Sequence, residues 1–312
     1  MPPQVSNLGD KEAEPGKPDL LVAPDLPPVF PGFEPRSGFW ALIRANKAVA
    51  FGVVVFVFMS LAALFAPLIV SADPFAISPL SRLKPISYEH PFGTDMLGRD
   101  LFARVFHGAR VSLTVGLAVA FFSAVIGLAV GLISGYVRWL DGFIMRTMDG
   151  LMSIPGILLA IALMALSGGS IQNVILAITV VEIPRVARLI RGVVLSLREQ
   201  TYVEAAIAAG SSSFTVIVRH ILPNTLAPLT VQATYVCAAA MLLESILSFI
   251  GAGIPPSVPS WGNIMADGRS LWQLKPSMIF IPATALSITI LAINLIGDGL
   301  RDNLDPRMAR RF

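Results

Sequence analysis

Six blocks along the chain, residues 48–72, 111–137, 150–181, 221–243, 245–266 and 276–297, contain no Asp, Glu, Lys or Arg. A helix crossing a bilayer core of about 30 Å needs roughly 20 apolar residues, so several of these blocks predict transmembrane helices. The block 150–181 is about 48 Å long as a helix, too long for one span. Ser167-Gly168-Gly169-Ser170 supplies a turn that divides it. The pattern therefore places six spans near 48–70, 110–136, 145–166, 171–190, 223–250 and 277–298. The expected class is an all-α integral membrane protein with six transmembrane helices.

Charge orients the set. With the N-terminus inside, sixteen of the 23 Lys and Arg residues fall on inner segments and seven on outer ones. That bias follows the positive-inside rule and puts both termini in the cytoplasm. Residues 1–36 form a Pro-rich cytoplasmic tail expected to be disordered, because nine prolines and mixed charges leave too little apolar surface to offset ordering. The segment is not a signal peptide, since it lacks an apolar core region. Residues 37–72 then hold the first span and a short helix over 38–47, read either as an interfacial elbow or as the start of the span itself. Residues 73–109 make an outer, periplasmic segment. Residues 110–298 form the five-helix core, with a cytoplasmic loop at 191–222, and residues 299–312 a cytoplasmic tail.

Composition agrees with this class. Hydrophobic residues make up 54% of the 312 positions and charged ones 14%, with a mean hydropathy of +0.72. A soluble domain carries about 25% charged residues, so a soluble enzyme is excluded. The single cysteine, Cys237, forbids an internal disulfide and sits in an apolar run as a packing residue. The net charge of +3 reports orientation; no basic stripe alternates with aromatics, and nucleic acid is not among the expected partners. HExxH and GxSxG are absent, so no catalytic set is expected. The three histidines, His90, His107 and His220, are scattered, so no metal site is expected either.

The charged interruption between the fourth and fifth spans is the most informative stretch. It predicts a helix over 201–209, stopped at Gly210 where a helix C-terminus favours positive φ. A second short helix follows over 213–222, closed by Pro223. Ala205, Ala206, Ala208 and Ala209 make one side small. Such a hairpin is either a knob for a partner's groove or an ordinary connector. On the second span, Ser123, Gly127, Gly131 and Gly135 recur every four residues and form a ribbon against which another helix can pack closely.

Glu204-Ala205-Ala206, then Gly210, then His220-Ile221-Leu222-Pro223-Asn224, resembles the EAA motif of ABC-importer permeases in the peptide/nickel branch. Gly93-Thr94-Asp95-Met96-Leu97-Gly98-Arg99-Asp100 is similar to the GTDxxGRD block of the C-type subunit. The run from Gly297-Asp298-Gly299 through Asp305-Pro306-Arg307 is similar to that family's C-terminal GDxLRDxLDPR. The resemblance covers about residues 38–308. One departure is that Ile183 and Val186 stand where many members carry aromatics.

The resemblance implies a type I importer permease fold in a bacterial cytoplasmic (inner) membrane. It implies that Glu204, Ala205, Ala206, Gly210, His220, Leu222 and Pro223 couple to a cytoplasmic ATPase. The partners would be a second, B-type permease, two ATPase subunits, a periplasmic or lipid-anchored binding protein, and the bilayer itself. No cofactor is expected on this chain. It has no GxxxxGK[ST], since Gly16-Lys17 is followed by Pro18, so ATP and Mg would be held by the ATPase subunits. Di- or oligopeptides are the expected cargo, with nickel chelates or opine-like solutes as family alternatives. An ion-coupled secondary transporter is the rival, though no internal repeat of the kind such carriers use is visible.

Docking or the substrate path falls to Gly93, Thr94, Asp95, Gly98, Arg99 and Asp100, and to the loop containing Trp261 and Asp267. Trp261 and Trp272 are read alternatively as interfacial belt residues. Glu244 in the fifth span costs about 2.5–3.5 kcal/mol on insertion scales, which the surrounding Leu, Ile, Val and Phe residues offset. It either lines the path or lies at the outer interface. Glu182 with Arg185, and Arg146 with Asp149, are spaced for local helix pairs.

Overall fold

The computed structural model describes residues 43, 46–70 and 72–304, all within the unit Ser37–Phe312. The Pro-rich tail 1–36, nearly all of the elbow 38–47 and the last eight residues lie outside the described residues.

The first helix, α1 (Lys47–Leu64), starts where the Asn46 side chain accepts the backbone N–H groups of Ala48 and Val49. One further turn, α2 (Ala66–Ile69), follows. Next comes α3 (Leu101–Tyr136), of 36 residues and about 54 Å. It begins nine residues before the expected span, because Asp100 caps it by accepting the Ala103 N–H at 2.8 Å. At this length it exceeds the thickness of a bilayer core of about 30 Å.

The third expected span, 145–166, is not one helix. It is divided into α4 (Arg138–Ser153) and α5 (Gly156–Ser167), which meet at 89°. Pro155 has no N–H to give and holds Ile154 in an extended conformation, so the α-helical ladder stops there. The turn at Ser167–Ser170 then leads to α6 (Ile171–Arg198), whose cap is Ser170. Two short helices follow, α7 (Thr201–Ala208) and α8 (Ser213–Val216). A π-turn, Ile217–Ile221, runs straight into α9 (Leu222–Phe249). The remaining helices are α10 (Trp261–Gly268) and α11 (Ser277–Leu304).

Among the described residues, four stretches are long and apolar enough to cross a membrane: α1, α3, residues 213–249 and α11. A fifth is added if the bent α4–α5 pair counts as one span. The helix α6 falls outside that group, because Glu182, Arg185, Arg188 and Arg191 make its second half polar.

The core centres on α3, which packs chiefly on α6 and α9; α9 in turn packs on α11, and α11 on α1. The approach of α3 to α6 depends on the small-residue ribbon. A Cβ added at Gly127 would lie 2.6 Å from the Val186 side chain. At Gly131 it would lie 2.7 Å from both the Ala187 carbonyl and Ile190 Cβ, and at Gly135 2.7 Å from Val194 Cβ. Ser123, at the head of the ribbon, is fully buried and donates back to the Val119 carbonyl. Val186 is the side chain that fills the notch at Gly127.

Candidate functional site

Two constructions sit at opposite ends of α3. At its C-terminal end the Arg198 guanidinium donates to the carbonyls of Gly135 and Tyr136, at 3.0 and 3.1 Å, and stacks on the Tyr136 ring. This ties the end of α6 to the end of α3. The chain then turns into α7, which is anchored by one side chain, the fully buried Val203. Glu204, Ala205, Ile207 and Ala208 are exposed, and Ala206 is half-buried.

Gly210 ends this helix at φ +83°, and no atom stands within 4 Å of the position its Cβ would take. The residue is therefore required for its backbone angle and not for space. The Ser211 N–H reaches back to Ala206 O and the Gly210 N–H to Ile207 O, which closes the helix end. On the far side of the turn Val216 and Ile221 are fully buried, while Phe214 is three-quarters exposed. Buried feet thus hold up an exposed face containing Glu204, Ile207 and Phe214.

One expectation here is corrected. Pro223 does not close a short helix: it lies just after the π-turn, Ile217–Ile221, and the helical backbone runs on through it. The backbone stays helical from 213 to 249, with the π-turn absorbing the extra residue. His220 accordingly lies within this continuous helix, half-buried, and Leu222 is its neighbour at the start of α9.

At the N-terminal end of α3, residues 93–100 fold into a tight loop. Thr94 and Asp100 form an antiparallel bridge, and Gly93 and Gly98 take φ of +77° and +75°. A Cβ on Gly98 would collide with the Ser78 carbonyl, so only glycine fits. Asp95, 1% exposed, organises the loop. One carboxylate oxygen accepts the N–H groups of Leu97 (2.8 Å) and Arg99 (2.9 Å). The other accepts Arg99 Nε (2.6 Å) and Arg104 Nη1 (2.7 Å). Burial alone pushes this carboxyl up, but the Arg99 N–H and the two guanidinium groups together outweigh it and hold it below its usual range.

Both arginines reach Asp267 of α10 as well, at 2.8 Å from Arg99 and 3.0 Å from Arg104. Asp100 also binds His90 Nδ1 at 2.7 Å, and Lys275 donates to the carbonyls of Lys84 and Thr94. Burial lowers the Lys275 ammonium, with Asp95 opposing it. The loop after α1, the start of α3 and α10 are thereby joined by one charge network.

The sequence points to Asp95, Arg99 and Asp267 but gives no sign of Arg104. This arginine is 1% exposed, and its Nε and Nη2 have no hydrogen-bond partner. The only available signal was an arginine four residues after Asp100, on the face of α3 that its cap turns inward.

Trp261 is not an interfacial belt residue. It is fully buried and its Nε1 donates to the Val105 carbonyl at 3.0 Å, whereas Trp272 is exposed. Glu244 has no exposed surface in this chain. Its carboxylate accepts Ser112 Oγ (3.1 Å) and Ser248 Oγ (2.9 Å), bonding α9 to α3 in the layer beneath α10. Glu182 pairs with Arg185 at 3.0 Å. Asp149 instead pairs with Arg188 of α6, because the bend at Pro155 lays α4 alongside that helix. Asp141 likewise holds Arg191 through two bonds of 2.6 and 2.7 Å. Among the described residues no three His, Cys, Asp or Glu side chains gather as metal ligands.

The family model described as "Binding-protein-dependent transport system inner membrane component" matches residues 111–310. A second, for the N-terminal TM domain of oligopeptide transport permease C, matches residues 35–85. A probable peptide ABC transporter permease of Sinorhizobium fredii is 51% identical, over 80% of this chain and 86% of its own length. The dipeptide transport system permease DppC of Alkalihalophilus pseudofirmus is 40% identical, over 95% and 99%. The glutathione transport system permease GsiD of Escherichia coli is 40% identical, over 88% and 91%. Among solved structures, a chain of the inward-facing MetNI methionine ABC transporter superposes with a TM-score of 0.56. It shares 21% identity, over 65% of this chain and 97% of that one, a likeness of fold.

Proposed function

Because the chain belongs to the family of binding-protein-dependent transport system inner membrane components, as a multi-pass protein of the inner membrane, we propose that it is the C-type permease subunit of a peptide importer. It has six spans and both termini in the cytoplasm. The spans are α1, α3, the bent α4–α5 pair, α6, α9 and α11. The basic bias of the inner segments supports this orientation. Di- or oligopeptides are the cargo, as the names of its relatives suggest.

The observation that carries the coupling role is the hairpin at α7. Its exposed face is supported by Val203, Val216 and Ile221 and fixed in direction by Gly210. Glu204, Ala205, Ala206 and Gly210 dock this helix on a cytoplasmic ATPase, with His220, Leu222 and Pro223 forming the stiff connection to α9. Two such ATPases close on ATP and Mg, push α7, and rock the spans between outward-open and inward-open states. The helical run 213–249 suits that task, because it leads from the α7 turn to Glu244 with no non-helical break, the π-turn at 217–221 included. A second permease seats against α4, which buries no residue within this chain and leaves Trp139 and Phe143 exposed. The peptide path lies at that interface.

The test is uptake in cells carrying Glu204→Lys or Gly210→Pro. Proline needs φ near −65° and has no N–H for Ile207, so it cannot replace a residue at +83°. Both variants should insert at normal levels and lose ATP-driven peptide uptake. Normal uptake by correctly assembled variants would refute the coupling role.

A further inference from the structure

The 93–100 loop and α10 enclose a cavity of about 380 Å³, lined by Arg82, Leu83, Met96, Leu97, Arg99 and Asp267. We infer that this cavity is a socket for one acidic side chain of the substrate-binding protein, gripped between Arg82 and Arg99. The inference rests on the orientation proposed above, which turns this end of α3 outward.

Charge is the first argument. Asp95 and Asp267 together match Arg99 and Arg104, each arginine pairing with both carboxylates at 3.0 Å or less. Arg82 lies on the same cavity and has no ion partner among the described residues. The lining thus contains one uncompensated positive charge. Arg99 has fixed its direction already, through Asp95 and Asp267, so a second carboxylate meets a guanidinium that needs no reordering.

Shape is the second. Leu83 takes φ +53°, a left-handed conformation that is costly for a branched residue and persists only where its surroundings impose it. Its N–H is held by the Asp95 carbonyl at 3.1 Å, and the next N–H, of Lys84, by Thr94 Oγ1 at 2.8 Å. The wall that includes Leu83 is therefore built on the same Asp95 turn as the floor. Met96 is 45% exposed, and Leu83 and Leu97 are each more than a third exposed. These apolar lips lie outside any run long enough to enter a membrane. Apolar lips around a preset charge are how an interface anchors one side chain and excludes water from it.

The apolar lips favour a protein carboxylate over a lipid phosphate: Leu83, Met96 and Leu97 bury against a protein surface, whereas a hydrated headgroup layer leaves them facing polar groups. The family to which the chain belongs supplies the partner class, since its members depend on a binding protein.

The test is biolayer interferometry on the full importer in nanodiscs, with its peptide-loaded binding protein as analyte and Arg82→Glu and Arg82→Gln as variants. Stoichiometric co-purification of the ATPase subunits verifies assembly. Arg82→Glu should raise Kd about tenfold and Arg82→Gln less, and both should flatten the dependence of Kd on salt. One acidic-to-Lys substitution in the binding protein should restore tight binding to Arg82→Glu alone. An unchanged Kd would overturn the socket. So would a change that follows the anionic lipid content of the nanodisc, or a loss confined to peptide affinity. Failure of the wild-type complex to bind any binding protein would overturn the importer reading itself, and the socket with it.

Discussion

Replacing Gly131 by alanine tests the packing that sets the distance between α3 and α6. The added Cβ would lie 2.7 Å from the Ala187 carbonyl and from Ile190 Cβ, where ordinary contact begins at 3.4 Å. The shortfall, 3.4 − 2.7, is about 0.7 Å against two groups of one helix, one of them backbone, so the helices must separate. Overpacking of this kind costs about 1–3 kcal/mol. Alanine also gains about 0.8–1.0 kcal/mol in helix propensity over glycine. Gly192, inside α6, isolates that second term, because nothing stands within 4 Å of its added Cβ. The difference between Gly131→Ala and Gly192→Ala is therefore the overpacking alone, about 1–3 kcal/mol, or roughly 2–4 °C in Tm per kcal/mol for a chain of this size. Cys237, buried and the single cysteine, gives a clean readout with a thiol-reactive dye during heating of the purified chain. Gly192→Ala should melt above the wild type and Gly131→Ala below Gly192→Ala. Equal melting of the two variants, or a higher midpoint for Gly131→Ala, would refute the close approach.

Asp95→Asn should cost about 3–5 kcal/mol in the same assay, because it leaves two buried guanidinium groups short of charge. The Asp95 carboxyl is depressed in the fold, so its stabilisation is present above the unfolded value near 3.9 and is lost as pH falls through the folded one. The melting midpoint should therefore drop below about pH 4, with a flatter acid limb in Asp95→Asn; identical acid limbs would contradict this. Asp141→Asn, which breaks a two-bond pair with Arg191, should cost about 1–2 kcal/mol. Asp149→Asn, whose pair with Arg188 is more than half exposed, should cost under about 1 kcal/mol, and the reverse order by thermal melting would argue against the lie of α4 along α6.

Much of this was legible from local chemistry. The helix at 201–208, its stop at Gly210 and the turn at Ser167–Ser170 follow from capping and φ preferences, which depend on few neighbours. So does the small-residue ribbon, because a four-residue spacing fixes one helix face. What sequence reading missed depends on the third dimension. An uncharged run from 150 to 181 hides the break at Pro155, since apolar residues suit either side of a bend. That bend in turn gives Asp149 to Arg188 and not to Arg146. Pro223 marks a helix boundary in sequence, yet after the π-turn at 217–221 the helix runs on through it. Arg104 goes unmarked in sequence, and Trp261 reads as a docking or belt residue, until α10 is laid over the start of α3.

The central claim, that this chain is the permease of an ATP-driven peptide importer, is tested most directly by reconstitution. The tagged chain is purified in mild detergent with whatever co-elutes, and placed in liposomes for peptide uptake. The account predicts that a second permease and ATPase subunits co-elute with vanadate-sensitive activity. Uptake should then require both ATP and the binding protein, and survive collapse of the proton gradient. A lone chain without ATPase partners, where a control complex survives, or uptake driven by the gradient without ATP, would contradict it.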